Sequence, residues 1–562
     1  GRKYDLEFHQ LLAALLAPLT SPSPAAALPL PVTDLFVDTS ATCAGADGSA
    51  AAPFCTIGEA LTAAVDGDVV RVAPGTYSEA VTISKNVELI GTGGAAVTTI
   101  DRDSLGTTMF GPAVTVESPA IVTLVGLTIT GGFGSGGGVQ NAGTLTVREC
   151  RVEDNLSNGI DSASGIECLP DAGPLVVDRT TIAANRGGSF ASAAHAIRAL
   201  RSESVTIRES TLRQNDGLGS TLRVNDTPLV IESTTISDNT PLTSSDGVIE
   251  VLSSSAQITN CTVANNTGAN GGVSGFSSQI TIRSSTLTGN SGQAVGGVRC
   301  RNGSLTLTNS IIAENVGSTA RDLFLDGTTL NSTGFNLIGD ASGVSGILPS
   351  DLLGTSASPL DPLLAPLAPN GGLTETRIPL ELSPALDAGD PANTEPVDQR
   401  GEPRLAGLGD IGSVEARPVG LGDPIPGCVG APNSTGAIGR TRTAGSLGVS
   451  ANDFALVATS LPPGQFGGFV VSRTPGCSAG AGGSSDGNLC LSGAIGRFNG
   501  PDQIVNSGTN GIASLDVDLT AIPTPTAFVT AAAGETWFFQ AWHRDSGGLG
   551  SNFTEGEGVL LR

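Results

Sequence analysis

SVTIRESTLRQN, residues 204–215, is the stretch on which the fold turns. Val205 and Ile207 alternate with Thr206 and Arg208, the period-two pattern of a strand with one buried face. A short polar turn follows, and the phrase TLRQN closes on Asn215. The same phrase, a β-branched or aliphatic pair, two small or polar residues and then Asn, recurs along the chain. RVEDN ends at Asn155, TIAAN at Asn185, TISDN at Asn239, TVANN at Asn266, TLTGN at Asn290 and IIAEN at Asn315. Successive asparagines are 30, 30, 24, 27, 24 and 25 residues apart, one repeat per turn of a solenoid.

A period of this size fits leucine-rich repeats, propeller blades or a β-helix, and the residue types decide among them. Helical repeats need apolar stripes at 3.6-residue spacing, whereas SVTIRES (204–210) and SLTLTNS (304–310) alternate as strands do. Each coil is expected to supply short strands separated by Gly- and Asn-rich turns, every strand pairing in parallel with its copy about 4.8 Å above. The recurring Asn tolerates the left-handed conformation of a sharp corner, and its amide can bond the Asn of the next coil. Asn155, Asn185, Asn215, Asn239, Asn266, Asn290 and Asn315 are therefore read as a structural ladder and not as a binding site.

Composition agrees with a folded, strand-and-turn chain: 77 Gly, 33 Pro and 14% charged residues, with 39% hydrophobic residues. Lys3 and Lys85 are the only lysines, and the net charge is -25. Such a balance repels nucleic acid and acidic polysaccharide, because binding a polyanion rests on Lys and Arg. No cofactor is expected; the acidic residues leave calcium open as a hard-cation ligand, with Asp387 and Asp390 as the candidates and an ion-pair or turn role as the alternative. The nine cysteines form no C-x-x-C pair. Short separations point to disulfides Cys43 with Cys55, Cys150 with Cys168 and Cys477 with Cys490 in an oxidising compartment, with Cys428 left over. No apolar run reaches the roughly 20 residues needed to span a bilayer.

The N-terminal residues 1–33 support two readings. Leu11 to Leu16 and the small residues up to Ala27 have the pattern of a signal sequence, while Tyr4, Leu6 and Phe8 alternate with charged neighbours as a half-buried strand of an ordered arm would.

DLFVD (34–38), PFCTIGEAL (53–61), DGDVVRVAPGTY (66–77) and ISKNVELIG (83–91) resemble the N-terminal cap and first coils of secreted bacterial right-handed β-helix proteins of the pectin-lyase-like kind. LVGLTITGG (124–132), GGGVQNAGTLTV (136–147) and GGVRCRNGSLTL (296–307) resemble their internal coils. GFNLIGD (334–340), VDQRGEPR (397–404) and GDIGSVE (409–415) resemble the β-helix module called choice-of-anchor Q, found on exported bacterial proteins. The resemblance implies fold and export and no reaction. The expected fold is thus all-β: a right-handed parallel β-helix over 34–416, with a cap at 34–68 and a terminal module at 334–415, then a linker at 417–427 and a β-sandwich at 428–562. The phrases NDFAL (452–456), GNLCLSGAIGRF (487–498) and GETWFFQAWHRD (534–545) are similar to a terminal domain of exported planctomycete-type proteins. Trp537 and Trp542 lie an odd number of residues apart, so a regular strand puts them on opposite faces; an exposed one could stack on a sugar or serve an interface.

An enzyme is not expected. Glycoside hydrolysis needs two positioned carboxylates, and neither the paired-aspartate and Gly-His-Gly pattern of polygalacturonases nor the signatures of pectate lyases is present. Of His9, His195 and His543, His195 falls in the coils, beside Arg198 and Arg201, where a groove is conceivable and a loop or core histidine is the default. The sequence favours an extracellular or cell-surface structural or adhesive scaffold of a GC-rich bacterium. In that reading copies self-associate head to tail, the strand around Tyr4, Leu6 and Phe8 adding to a neighbour's sandwich near Trp537 and Trp542. The alternative is a carbohydrate-binding or polysaccharide-processing β-helix.

Overall fold

The computed structural model describes residues 33–562 apart from 104–109, 160, 188–193, 242–246, 381–382, 393–394, 403, 405–408, 417–422, 446, 450–451, 453, 480–484, 509–510 and 546–549. Tyr4, Leu6 and Phe8, with the rest of the N-terminal segment, lie outside the described residues.

The alternating segments stack as predicted into three parallel sheets of 12, 11 and 12 strands. The first runs from Asp34–Val37 to Thr329–Ser332, the second from Val81–Ile83 to Leu323–Asp326, and the third from Gly75–Tyr77 to Leu352–Leu353. Within a coil the chain passes from the first sheet to the third and then the second; Thr144–Arg148, Arg151–Glu153 and Ser162–Cys168 make one such circuit. Because each strand sits in register on its copy, inward side chains form vertical columns. Val70, Leu89, Leu124, Val147, Val177, Ile207, Ile231, Ile258, Ile282 and Leu307 make one in the first sheet. Another runs through the third sheet from Tyr77 and Ile100 to Ile312 and Ile338. The N-terminal cap carries a helix, Ile57–Ala63, started by a Thr56/Glu59 capping box. Glu79 takes the free N–H groups of Ile57 and Gly58, Lys85 reaches the carbonyls of Leu61 and Thr62, and the helix buries Ile57, Ala60 and Leu61 in the core of the first coils.

The ladder asparagines are buried; Asn155 Oδ1 accepts from Gly132 N–H, and from Asn185 on each Oδ1 accepts both the main-chain N–H and the Nδ2–H of the preceding Asn. The side-chain steps measure 3.0 Å from Asn155 to Asn185 and 3.1 Å from Asn185 to Asn215, and they continue at 2.9–3.0 Å to Asn315. One part of the sequence reading is corrected. The left-handed residue of this corner is the one before each Asn: Asp154, Ala184, Gln214, Asp238, Asn265, Gly289 and Glu314 have φ between 53° and 67°. The Asn itself turns its amide inward to satisfy the corner that its predecessor makes.

The other two corners repeat the device with different residues. Between first and third sheets, the N–H of Cys150 is taken by Thr180 Oγ1, that of Thr180 by Ser210 Oγ and that of Ser210 by Thr234 Oγ1; farther along, the N–H of Cys261 goes to Ser285 Oγ and that of Ser285 to Ser310 Oγ. Between second and first sheets, Ser202, Thr227, Ser254 and Ser278 are linked in the same way.

The outer face of the third sheet is covered by the chain's own return. Gln399 bonds Thr235 and Thr262, Ser413 bonds Thr262 and Thr286, and Arg404 reaches Asn260. These threonines are buried although their strand position points away from the coil core. Gly412, at φ 108°, passes so close that a Cβ would lie 2.8 Å from Thr286 Oγ1 and 2.9 Å from Ile311 Cδ1. In this strap Arg400 pairs with the buried Asp398 at 2.8 Å, while Asp387 N–H donates to Asp410 and Asp390 Oδ1 accepts from Ala392 N–H.

A second compact unit comprises Glu415–Arg562 with Leu363–Ala365 and Ile378–Leu386. Its main sheet has seven strands, with Phe466–Ser472 and Thr536–Arg544 at the centre; a three-stranded antiparallel sheet holds Arg440–Gly445, Phe454–Thr459 and Ala513–Asp516. The two share one core, in which the rings of Phe454 and Phe539, one from each sheet, lie 5.5 Å apart.

Two disulfides form, Cys43–Cys55 and Cys428–Cys490. The expected Cys150–Cys168 bridge is absent: Cys150 belongs to a corner ladder and Cys168 closes a second-sheet strand on another side of the coil, so short sequence separation does not bring them together. Cys477–Cys490 is likewise replaced, since Cys490 is buried against Cys428 and Cys477 is an exposed free thiol. Burial pushes the thiols of Cys150, Cys168, Cys261 and Cys300 up to about 12, which keeps them protonated.

Candidate functional site

On the outer face of the second sheet the register aligns Glu167, Arg198, Arg223 and Glu250 in one column. Asp161, in a left-handed turn at φ 52°, reaches across it. Arg198 grips Glu167 at 2.6 Å and Asp161 at 2.8 Å; Arg223 holds Asp161 at 2.9 Å and Glu250 at 3.3 Å. His195, fully buried in the same strand as Arg198, places Nδ1 3.0 Å from the Ser220 carbonyl oxygen and Nε2 3.4 Å from Asp161 Oδ1. Its ring is admitted because residue 219 is Gly: a Cβ there would lie 2.5 Å from the imidazole.

The electrostatics follow from these contacts. The His195 ring, with Arg198 and Arg223, holds the Asp161 carboxyl far below the usual carboxylate range. Burial raises Glu167 against the pull of Arg198, and burial lowers His195. Three carboxylates are thus matched by two guanidiniums within hydrogen-bond distance. The recess between Asp161, Arg198, Arg223 and Asn225 measures 90 Å³, room for about three waters and not for a sugar ring. This constellation has the residue types of acid–base chemistry but its carboxylates are already engaged. Arg201, named with His195 from the sequence, pairs instead with Asp171 at 3.5 Å on the surface.

A 300 Å³ groove opens at the Asn155 corner between Asp103, Phe133, Asp154 and Arg186, where the rings of Phe110 and Phe133 stack at 4.7 Å. The C-terminal unit holds a larger one, 690 Å³, lined among others by Gly468, Val470, Arg497, Asn499, Ile504 and Trp542. Trp542 is half-buried here, whereas Trp537, on the opposite face of the strand, is 2% exposed. Trp537 Nε1 donates to Glu535 at 3.1 Å, and the Arg473 guanidinium lies 4.5 Å from its ring centre. The spacing of the two tryptophans separated their faces in advance; the groove is built by side chains from three distant segments, and no local pattern announces it. His543, on the strand that carries both tryptophans, is buried with Nδ1 3.0 Å from the Arg544 carbonyl oxygen. Among the described residues no group of three or more His, Cys, Asp or Glu side chains is placed to hold a metal ion, and no helix is long and apolar enough to cross a membrane.

The family described as right handed beta helix region matches residues 195–340, the coils whose ladders and columns are described above. The coils fold as a right-handed parallel β-helix. A second family, described as a protein of unknown function (DUF1565), matches residues 43–187 of this β-helix protein. No curated protein matches the sequence. Among solved structures, the β-helix protein is similar to pectate lyase Pel9A at 13% identity, with 68% of this chain and 97% of that one covered and a TM-score of 0.37. A rhamnogalacturonan lyase is similar at 10% identity, 62% and 96% coverage and a TM-score of 0.30. The pectin methylesterase from Aspergillus niger follows at 15% identity, 56% and 89% coverage and a TM-score of 0.23.

Proposed function

We propose that this β-helix protein is an extracellular or cell-surface scaffold, structural or adhesive in role. The observation that carries the reading is the unbroken ladder from Asn155 to Asn315, closed at its end by Asp322 Oδ1 at 2.9 Å, which fastens successive coils to one another from inside. Twelve strands at the inter-strand spacing make a rod of roughly 50 Å. The two disulfides and the resemblance of 334–415 to the choice-of-anchor Q module support an exported protein. Self-association completes the proposal: the Tyr4, Leu6 and Phe8 segment of one copy adds to a neighbour's C-terminal unit, where Ala513–Asp516 ends its sheet with one edge unpaired among the described residues. Negative-stain microscopy of the full chain over a concentration series tests this. Filaments that disappear on deletion of residues 1–20 are expected, and filaments that persist in the deletion variant overturn strand donation.

A second reading, polysaccharide processing, is favoured by the two carboxylates Asp103 and Asp154 beside Phe133 in the 300 Å³ groove. It predicts soluble products from a polysaccharide panel and their loss in Asp154→Asn. Release of no product leaves the scaffold reading in place.

A further inference from the structure

The 690 Å³ groove lies on the face of the main sheet turned away from the core of the C-terminal unit. Along Phe466–Ser472, Phe469 and Val471 point into that core, so Gly468 and Val470 point out, and the cross-strand partner of Gly468 is Trp542. Gly468 brings no side chain, and the space it leaves deepens the groove beside Ile504, whose Cδ1 would lie 3.5 Å from a Cβ there. Ile504 is 53% exposed and Trp542 is half-buried, so apolar surface stands without cover among the described residues. In a chain of net charge -25, no Asp or Glu lines this groove. It opens beside the edge proposed above for strand addition: Val505–Asn506, directly after Ile504, pairs with Phe466 and Gly467 and packs against Ala513–Asp516.

The N-terminal segment supplies the matching chemistry. Tyr4, Leu6 and Phe8 are followed by LLAALLAPL (11–19), nine residues without a charge, and a run that apolar needs cover. Arg2 and Lys3 balance Asp5 and Glu7, the only acidic residues in 1–32, so this stretch carries no net charge to be repelled by an acidic neighbour. Three steps of extended chain carry Leu11 about 10 Å past Phe8, and Leu11 to Leu16 spans about 17 Å more. That is enough to leave an edge of one sheet, cross the roughly 10 Å between packed sheets and lie on the far face of the other. We infer that Leu11 to Leu16 of a neighbouring copy seats in this groove, over Gly468 and against Ile504 and Trp542. The inference rests on the self-association proposed above and adds the second half of the contact: main chain on the edge, side chains in the groove.

The test is sedimentation of the full chain over a concentration series. Ile504→Asp puts a charge into the groove at an exposed position and is expected to raise the concentration at which filaments pellet roughly tenfold or more, with the thermal unfolding curve unmoved. Leu12→Asp with Leu15→Asp, made in the segment instead, is expected to raise it as much, and the three changes together add little, because both sets remove one contact. Assembly of Ile504→Asp at the wild-type concentration, or fully additive effects of the two sets, overturns the groove. If deletion of residues 1–20 abolishes filaments while Ile504→Asp does not disturb them, strand addition stands without it. A wild-type chain that stays single at every concentration, or a mature chain whose mass lacks residues 1–20, overturns the assembly and this inference together.

Discussion

In the coils, Tyr77 is the one aromatic side chain buried in the stacked core among the described residues, whereas the C-terminal core gathers Phe454, Phe469, Phe498, Trp537 and Phe539. The coils close their interior with branched aliphatic side chains, each sitting on its copy about 4.8 Å away. The sandwich packs two different faces once and can use large rings to fill the gap. Polar burial differs in parallel. At the corners of the coils the buried Asn, Ser and Thr are partnered by the equivalent position one coil on, so these polar residues form series. In the sandwich each is solved singly: Gln540 alone serves Cys490 N–H and the carbonyls of Asn488 and Thr554, and Glu557 takes Thr443 N–H and Oγ1. Repetition turns polar burial into a habit; without it, every buried polar group needs its own arrangement.

That contrast can be broken or sharpened by four measurements. The largest effect is expected in the sandwich, where Cys428–Cys490 closes a 62-residue separation: Cys428→Ser with Cys490→Ser should cost about 4 kcal/mol in urea denaturation, with no loss of signal from the coils. Asn239→Ala interrupts the coil series, leaving Asn215 N–H and Nδ2–H and the Leu212 carbonyl without partners, and should cost about 3 kcal/mol. A loss under about 1 kcal/mol would mean that water substitutes and that the ladder is not a stabilising series.

The third is a pH effect of similar size. At the ladder's end Asp322 accepts from Asn315 and Asp340, but burial outweighs these donors and raises it from 3.8 to about 6. Folding therefore takes up a proton between those values. The associated stability is full below pH 3.8 and is lost as the pH climbs through about 6, about 3 kcal/mol in total. Denaturation midpoints across this window should fall in the wild type and stay nearly level in Asp322→Asn; parallel slopes would assign the titration elsewhere. The smallest effect is Cys261→Ser, which places in the corner series the residue its neighbour Ser285 already has, and should shift stability by less than about 1 kcal/mol.

The coils were legible because their physics is local and repeated: alternation in SVTIRES and SLTLTNS gives strands, and the returning Asn gives the corner and the coil length. The companion ladders were not read, since Cys150, Thr180, Ser210, Thr234, Cys261, Ser285 and Ser310 share a role without sharing a residue type. The same blindness produced the Cys150–Cys168 pairing, because a thiol that serves as a small polar corner residue looks identical in sequence to one awaiting a partner. The left-handed positions were assigned one residue late, as Asp154, Ala184 and Gln214 have no common chemistry to mark them. His195 stood out, but its partners Asp161, Glu167 and Arg223 come from neighbouring coils and become visible only through register.

The strap that seals the third sheet has a kinetic meaning. Coil-to-coil contacts join residues some 24 to 30 apart, whereas Gln399 meets Thr235 across 164 residues and Ser413 meets Thr262 across 151. Near contacts form early and distant ones late, so coils can stack one upon another during synthesis while the threonine face stays wet. The strap then arrives as a latch, and a chain interrupted before it would be a complete stack that had not yet been locked.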